Sequence, residues 1–139
     1  MLGKDLANFG YRALGREEDL WWGVEAIVPV PLHPKRKKQR GFNQAQIIAK
    51  ELAKLKGIEL VERSLVKVKN VPPQTSLKAE ERKKNVRGAF QVVKNEWIKG
   101  RVVLLVDDVY TTGSTISECS AALRKAGAKE VRAITLAQA

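Results

Sequence analysis

Hydrophobic and polar positions along the chain follow the pattern of an α/β domain. Short apolar runs, typical of buried strands, alternate with segments whose apolar residues recur about every three to four positions, as on one face of a helix. Strands are predicted at 24–30, 58–61, 65–68, 90–93, 102–106 and 130–136, and helices at 3–16, at 43–56 and after residue 115. Strands that alternate with helices form mostly parallel sheets. We therefore predict an α/β fold, with a mostly parallel sheet flanked by helices.

The length of 139 residues predicts one domain over 1–139, with an N-terminal helix at about 3–16 and the core at about 24–139. No apolar run reaches membrane-spanning length, and the N-terminus lacks the apolar core of a signal peptide. The single cysteine, Cys119, excludes a disulfide framework and is interpreted as a small buried side chain. From these features we expect a cytoplasmic protein without membrane insertion.

The most informative stretch is VVLLVDDVYTTGST, at 102–115. Its apolar half is typical of a strand buried on both faces, and it ends on Asp107 and Asp108. Small and hydroxylated residues follow, and then a helix begins. A strand, a small-residue loop and a helix N-terminus form a cradle of backbone N–H groups that suits phosphate. The predicted cradle residues are Thr111, Thr112, Gly113, Ser114 and Thr115.

The two carboxylates narrow the choice of ligand. They would repel a phosphate beside them, but they accept hydrogen bonds from vicinal hydroxyls and suit a hydrated Mg²⁺. A phosphate near a cis-diol describes a ribose 5-phosphate. Two other interpretations stay open here. A Walker-B-like segment would need the motif G-x-x-x-x-G-K-[ST], which the chain lacks, and a plain strand–turn–helix would need only a capping box of Thr115 and Glu118.

A basic run, LHPKRKKQRG, occupies positions 32–41. A run of this kind is often a solvated loop. Here it follows the C-terminal end of the strand at 24–30 and precedes a helix that begins near Asn43. Ligands of open α/β sheets bind beyond the C-terminal strand ends, so we predict that this loop faces the aspartates. Its cations are Lys35, Arg36, Lys37, Lys38 and Arg40.

The segment at 69–88 breaks the periodicity, with two prolines and many charges. A long polar segment inside a compact domain is usually functional or mobile, although a passive surface loop with a helical turn at 78–85 is the alternative. The net charge of the whole chain is +11, which favours polyanionic ligands, nucleic acid or both.

The stretch LLVDDVYTTGST resembles the phosphoribosyl pyrophosphate (PRPP) signature of the type I phosphoribosyltransferases: hydrophobic residues, two acids, then T-T-G-x-T. With PVPLHPKRKKQRGFNQA, QTSL and ERKKNVRGAF, the chain resembles the ComF family of phosphoribosyltransferase-like proteins from about Ile27 to its C-terminus. The resemblance implies a single-domain type I phosphoribosyltransferase-like fold with a flexible lid loop. Members of this family are associated with natural competence, the uptake of single-stranded DNA. Many carry an N-terminal cysteine zinc module, which this chain lacks.

The resemblance implies a role for each part of the site. Asp107 and Asp108 would hold the ribose 2′- and 3′-hydroxyls, with Mg²⁺ held indirectly through those hydroxyls, the pyrophosphate or water. Residues 111–115 would bind the 5-phosphate. The basic loop would face the pyrophosphate, with Arg40 in front of residues 35–38. The flexible lid would span 74–87 and close on the ligand through Gln74, Arg82, Lys83, Lys84 and Arg87.

The implied reaction is displacement of pyrophosphate at C1 of the ribose through an oxocarbenium-like state. Such a reaction depends on positioning, on neutralisation of the leaving group and on exclusion of water more than on a strong base. No residue is assigned as catalytic, and the acceptor stays open. The alternative is a non-catalytic module that senses PRPP or binds single-stranded DNA, with proteins of the competence machinery as partners. A homodimer is a further expectation that the sequence leaves open.

Overall fold

The computed structural model describes residues 12–13, 20–32, 43–69, 87–110 and 114–138. In chain order the elements are β1 (Arg12–Ala13), β2 (Ala26–Pro29), α1 (Gln44–Lys56), β3 (Glu59–Leu60), β4 (Leu65–Lys67), β5 (Phe90–Val92), a 3-10 turn (Asn95–Trp97), β6 (Val102–Tyr110), α2 (Ser114–Lys125) and β7 (Glu130–Gln138). Neither of these helices has the length and apolar character needed to span a membrane.

Five strands form the main sheet in the order β1-β7-β6-β2-β3. The pairs β2–β3, β2–β6 and β6–β7 are parallel, and β1 pairs antiparallel with β7 at one edge. The prediction of a mostly parallel sheet flanked by helices is therefore confirmed. Strands β4 and β5 form a separate antiparallel pair, which we call the small sheet.

The side chains of β6 build the core on both faces of the main sheet. Val102, Leu104 and Val106 pack into the cluster that contains the apolar side of α1. Val103 and Leu105 pack into the opposite cluster, which contains the apolar side of α2 and the small sheet. Because side chains alternate along a strand, a continuous apolar run is what a strand buried on both faces requires.

Helix α1 is anchored to the C-terminal end of β2. The Asn43 Oδ1 atom accepts a hydrogen bond from the Ala45 N–H at 3.0 Å, and its Nδ2 donates to the Val30 carbonyl at 3.2 Å. The helix ends at Gly57, whose φ of 65° is the left-handed conformation that glycine adopts without a steric cost. The predicted helix at 43–56 is confirmed, and its first residue is tied to the strand that precedes it.

Two of the differences between the predicted elements and the structure have a clear cause in strand pairing. The backbone at 12–13 forms β1 where the helix at 3–16 was expected, because it pairs with the open edge of β7; the rest of that helix lies outside the described residues. Strand β6 continues through both aspartates to Tyr110, four residues beyond the predicted end. The partner that prolongs it is β7, which pairs with it as far as Gln138.

Candidate functional site

The site lies at the C-terminal ends of β2 and β6. Helix α1 connects β2 to β3 on one face of the sheet, and α2 connects β6 to β7 on the other face. The two connections diverge between β2 and β6, which makes this the topological switch point of the sheet. Ligands of open parallel sheets bind in the crevice at that point. Strand β2 ends opposite Val106, so Asp107 is the first residue of β6 beyond that end.

Asp107 is buried, with 9% of its surface exposed, and Asp108 is half-buried. Asp107 follows Val103 and Leu105 on the face that carries α2 and the small sheet. One of its carboxylate oxygens, Oδ1, accepts a hydrogen bond from the Asp108 N–H at 2.9 Å. The structure therefore brings the two predicted acids together as one pair at the mouth of the crevice.

The surroundings of Asp107 oppose its ionisation. Burial is the largest cause that raises its pKa to about 7, and the charge and side-chain hydrogen bond of Asp108 act in the same direction. The backbone hydrogen bond from Asp108 and the charge of Lys67 lower the pKa by less. A ligand that brings hydroxyl donors or a cation would stabilise the ionised pair, because both favour the charged form of a carboxylate.

Lys67 is the residue of this site that the sequence analysis missed. It is the last residue of β4. Its ammonium lies 5.6 Å from the centre of the ring of Phe90, which is a buried residue of the core. Its charge acts on both Asp107 and the buried Cys119. A usable signal was present in the sequence, since Lys67 ends an apolar strand directly before the polar segment at 69–88.

Helix α2 begins at Ser114, just after the strand that carries the acids. Ser114 is buried and Thr115 is half-buried, so the last two residues of the predicted phosphate cradle form the first turn of a helix. The N-terminus of a helix presents free N–H groups and partial positive charge, which suits an anion. Thr111, Thr112 and Gly113 lie outside the described residues. One turn further on, burial raises the pKa of the Cys119 thiol, in keeping with a packing role.

The predicted basic loop lies outside the described residues, but both of its ends are described. Val30 donates its N–H to the Val106 carbonyl at 2.8 Å, and its own carbonyl accepts from Asn43 Nδ2. Val30, just before this loop, is therefore bonded both to the residue that precedes Asp107 and to Asn43, just after the loop. A cavity of about 300 Å³ opens beside these ends and reaches Arg63 and Lys67. The loop residues themselves are Lys35, Arg36, Lys37, Lys38 and Arg40.

The predicted lid lies between β4 and β5 in the chain. Its residues Gln74, Arg82, Lys83 and Lys84 are outside the described part of the structure. Arg87 is described and exposed, and its carbonyl accepts a hydrogen bond from Lys69 Nζ at 2.8 Å. The two ends of this segment are thus held together by the small sheet, whose strand β4 also carries Lys67.

Several curated proteins are similar to this chain. Competence protein F of Haemophilus influenzae is 43% identical over 117 residues, which are 83% of this chain and 51% of that protein. DNA utilization protein YhgH of Escherichia coli K12 is 33% identical over 108 residues, 78% of this chain and 47% of that protein. Competence protein ComFC of Streptococcus pneumoniae is 30% identical, over 79% of this chain and 46% of that protein. The chain spans about half the length of these relatives.

Solved structures share the fold. The allosteric regulatory enzyme of purine biosynthesis matches with a TM-score of 0.55 and 24% identity, over 96% of this chain and 24% of that one. A hypoxanthine phosphoribosyltransferase from Staphylococcus aureus matches with a TM-score of 0.53 and 17% identity, over 99% of this chain and 61% of that one. At this level of identity the matches establish the fold alone.

A family model agrees with both comparisons. The model described as the phosphoribosyl transferase domain matches residues 38–139, a range that contains the acid pair, Lys67 and the start of α2. The resemblance read from the sequence, including its ComF-type relatives, is thereby confirmed. The chain belongs to the phosphoribosyl transferase domain family.

Proposed function

We propose that the protein binds PRPP together with Mg²⁺ and transfers the phosphoribosyl group to an acceptor, with release of pyrophosphate. The observation that carries the proposal is the acid pair at the switch point of the sheet, with Asp107 buried and Asp108 half-buried, shortly before the N-terminus of α2. Carboxylates for a diol and a helix N-terminus for a phosphate, a few residues apart, match the two ends of a ribose 5-phosphate.

The donor set suits an indirectly held Mg²⁺. Among the described residues, no group of three or more histidine, cysteine, aspartate or glutamate side chains could hold a metal ion. Mg²⁺ commonly keeps several waters and binds through one or two carboxylates plus substrate phosphates. Asp107 and Asp108 could hold it in that way, and it would supply neutralisation of the pyrophosphate charge. The high pKa of Asp107 also fits a site whose missing positive charge arrives with the ligand.

In the proposed reaction the bond between C1 and the pyrophosphate oxygen breaks, and its electron pair leaves with the pyrophosphate. The acceptor nucleophile forms the new bond to C1 and loses its proton. Lys67 would offset charge on the leaving group, while the acid pair would hold the ribose hydroxyls in place. Fixed charges of this kind lower a barrier because they need no reorganisation during the reaction.

We also propose a role in DNA uptake, supported by the relatives, whose names refer to competence and to DNA utilization. We extend that role to this chain as part of the proposal, with the cytoplasm as the compartment and competence proteins as partners. The second candidate function is a non-catalytic module that senses PRPP or binds single-stranded DNA. The net charge of +11 favours it, because a strongly basic protein attracts nucleic acid.

The acid pair provides the main test. The double substitution Asp107→Asn with Asp108→Asn should weaken binding of PRPP with Mg²⁺, by about 1.5–3 kcal/mol for each charge-assisted hydrogen bond lost. Titration calorimetry measures the affinity, and pyrophosphate release across a panel of nucleobases tests transfer. Glu96→Gln is the control, because Glu96 is an exposed acid at the opposite end of β6. Equal affinity in the double variant and the wild type would refute the assignment.

Lys67→Met tests the cation from the small sheet. It should weaken binding of PRPP and of pyrophosphate by about tenfold, the effect of losing one charged contact, and leave ribose 5-phosphate binding nearly unchanged. Lys67→Arg should restore most of the affinity. The control is Lys54→Met, in the last turn of α1 at the other end of the sheet. Equal losses for PRPP and ribose 5-phosphate would contradict a role for Lys67 at the pyrophosphate.

The stability of the ligand-free protein should depend on pH through Asp107. Its pKa is raised from an ordinary 3.8 to about 7, so the folded chain binds this proton more tightly than the unfolded chain. The protonated carboxyl makes its full contribution to the free energy of unfolding below pH 3.8, and this contribution is lost as the pH rises through 7. Asp107→Asn cannot ionise. Its stability relative to the wild type should therefore rise across this range, by up to about 4 kcal/mol.

Urea denaturation at a series of pH values measures this difference, and Glu96→Gln is again the matched control. If the free energies of unfolding of Asp107→Asn and the wild type differ by a constant amount from acid to alkaline pH, burial does not raise the pKa of Asp107.

Binding of single-stranded DNA is tested by its salt dependence. If about five phosphates are neutralised, log K should fall with log salt at a slope of about −3.5. Aromatic residues make up 6% of the chain, so stacking should add little to the affinity. Fluorescence anisotropy with a labelled oligonucleotide measures the slope, and a repeat with PRPP should show competition for the same cations. Binding that ignores salt would refute the electrostatic account, and no binding at low salt would remove this second function.

A further inference from the structure

Among the described residues no strand pairs with the outer side of β5, which we call the open edge of the small sheet. Its ladder with β4 is defined by two hydrogen bonds that flank it: the Val68 N–H donates to the Ala89 carbonyl at 2.7 Å, and the Val93 N–H donates to the Ser64 carbonyl at 2.8 Å. In an antiparallel ladder, hydrogen-bonded pairs alternate with pairs whose N–H and C=O groups point outwards. Given the register of the two strands, the N–H and C=O groups of the first and last residues of β5 point away from β4.

Those two residues are Phe90 and Val92. No hydrogen bond from the described part of the chain reaches their outward N–H and C=O groups. Their side chains pack inwards against the core, and only their main chain faces the open edge. An edge of this kind is a template for another strand.

A groove of about 590 Å³ runs beside this edge, between β5 and the C-terminal half of α2. On the α2 side it is lined by Ala122 and Ala126, whose small side chains leave room for an extended chain. Val93 follows β5 at the end of the groove with 58% of its surface exposed, a high fraction for a valine. The groove therefore combines unpaired main-chain groups with apolar surface.

The chemistry of the edge favours a polypeptide as the occupant. Phe90 and Val92 present donors and acceptors in alternation, and a peptide strand supplies the complementary alternation. A polynucleotide backbone supplies phosphate acceptors and would leave the carbonyls without partners. Main-chain pairing along an open edge is an established mode of peptide recognition.

The charge of the side chains at the groove indicates which peptides would bind. Lys125 lines the groove and Lys94 follows Val93; both are exposed, and no acidic side chain of the described residues pairs with either. A second copy of this chain, with its own net charge of +11, would bring like charges to the groove. An acidic segment would gain from the same lysines.

We propose that the open edge of β5 binds an extended, acidic segment of a partner protein, which joins the small sheet as a third strand with alternate apolar residues against Ala122 and Ala126. A third strand paired with β5 would extend the small sheet, whose other strand carries Lys67. The partner would thereby also stiffen the strands on either side of the segment at 70–86. This inference does not depend on PRPP binding.

The test begins with short random linear peptides displayed on phage and selected on the full chain. We expect the enriched peptides to combine Asp or Glu with apolar residues at alternate positions. A labelled synthetic peptide from the selection then reports the affinity by fluorescence anisotropy. Selection that enriches no common pattern, or a basic one, would overturn the proposal.

Two substitutions locate the bound peptide. Val92→Pro removes the outward N–H without touching the ladder to β4, and should weaken peptide binding by about tenfold or more, whereas Val92→Thr keeps the N–H and should bind nearly as the wild type does. Lys125→Glu should weaken binding and Lys54→Glu should not. The last two are matched, because each lysine lies in the last turn of its helix and each change lowers the net charge equally.

A loss of binding in a variant could also result from misfolding, so the bound peptide is also located by NMR on the wild-type chain. On titration with the peptide, the backbone amide resonances of Phe90 and Val92 should shift before those of α1. Shifts elsewhere without shifts at these two amides would overturn the proposal. Competition by a single-stranded oligonucleotide would assign the groove to nucleic acid instead. A dimer that Val92→Pro dissociates would assign it to a second copy of the chain.

Discussion

The burial of β6 is the constraint on which the rest of the structure depends. The strand is paired on both edges, with β2 and with β7, and it is covered on both faces by the two core clusters. As far as Val106 its main-chain groups are therefore paired on both edges of the strand, and its apolar side chains are buried on both faces of the sheet. Where β2 ends, the strand reaches the crevice, and the first side chain to arrive there is a carboxylate. The position of Asp107 is thus set by the central strand of the main sheet.

Burial at that position makes ionisation of Asp107 unfavourable, and this is the main electrostatic feature of the site. A carboxylate with 9% of its surface exposed loses most of its hydration, and the described residues return only one backbone N–H and the more distant charge of Lys67. Conflicts of this kind concentrate at functional sites, where a ligand resolves them. Hydroxyl donors or a positive charge beside the pair would favour its ionised form.

The small sheet connects this chemistry to the rest of the protein. It supplies Lys67 to the site from one strand and presents an open edge from the other. Structures of the same fold include the allosteric regulatory enzyme of purine biosynthesis and a hypoxanthine phosphoribosyltransferase, while the curated relatives are named for competence and DNA utilization. One scaffold can therefore carry different functions.

Local patterns in the sequence determined the α/β class, the helix at 43–56, the apolar strand before the acids and the identity of the acid pair. Each of these follows from periodicity, a cap or a run of residues that are neighbours in the chain. Tertiary pairing decided the rest. Residues 12–13 became a strand because β7 offered an open edge, and β6 ran on to Tyr110 because β7 ran beside it. The pairing of β4 with β5 placed Lys67 at the site. The register of the same pair left the main-chain groups of Phe90 and Val92 facing away from β4. Contacts of that range depend on which segments pack together, and the free energy that selects them is not a property of any one segment.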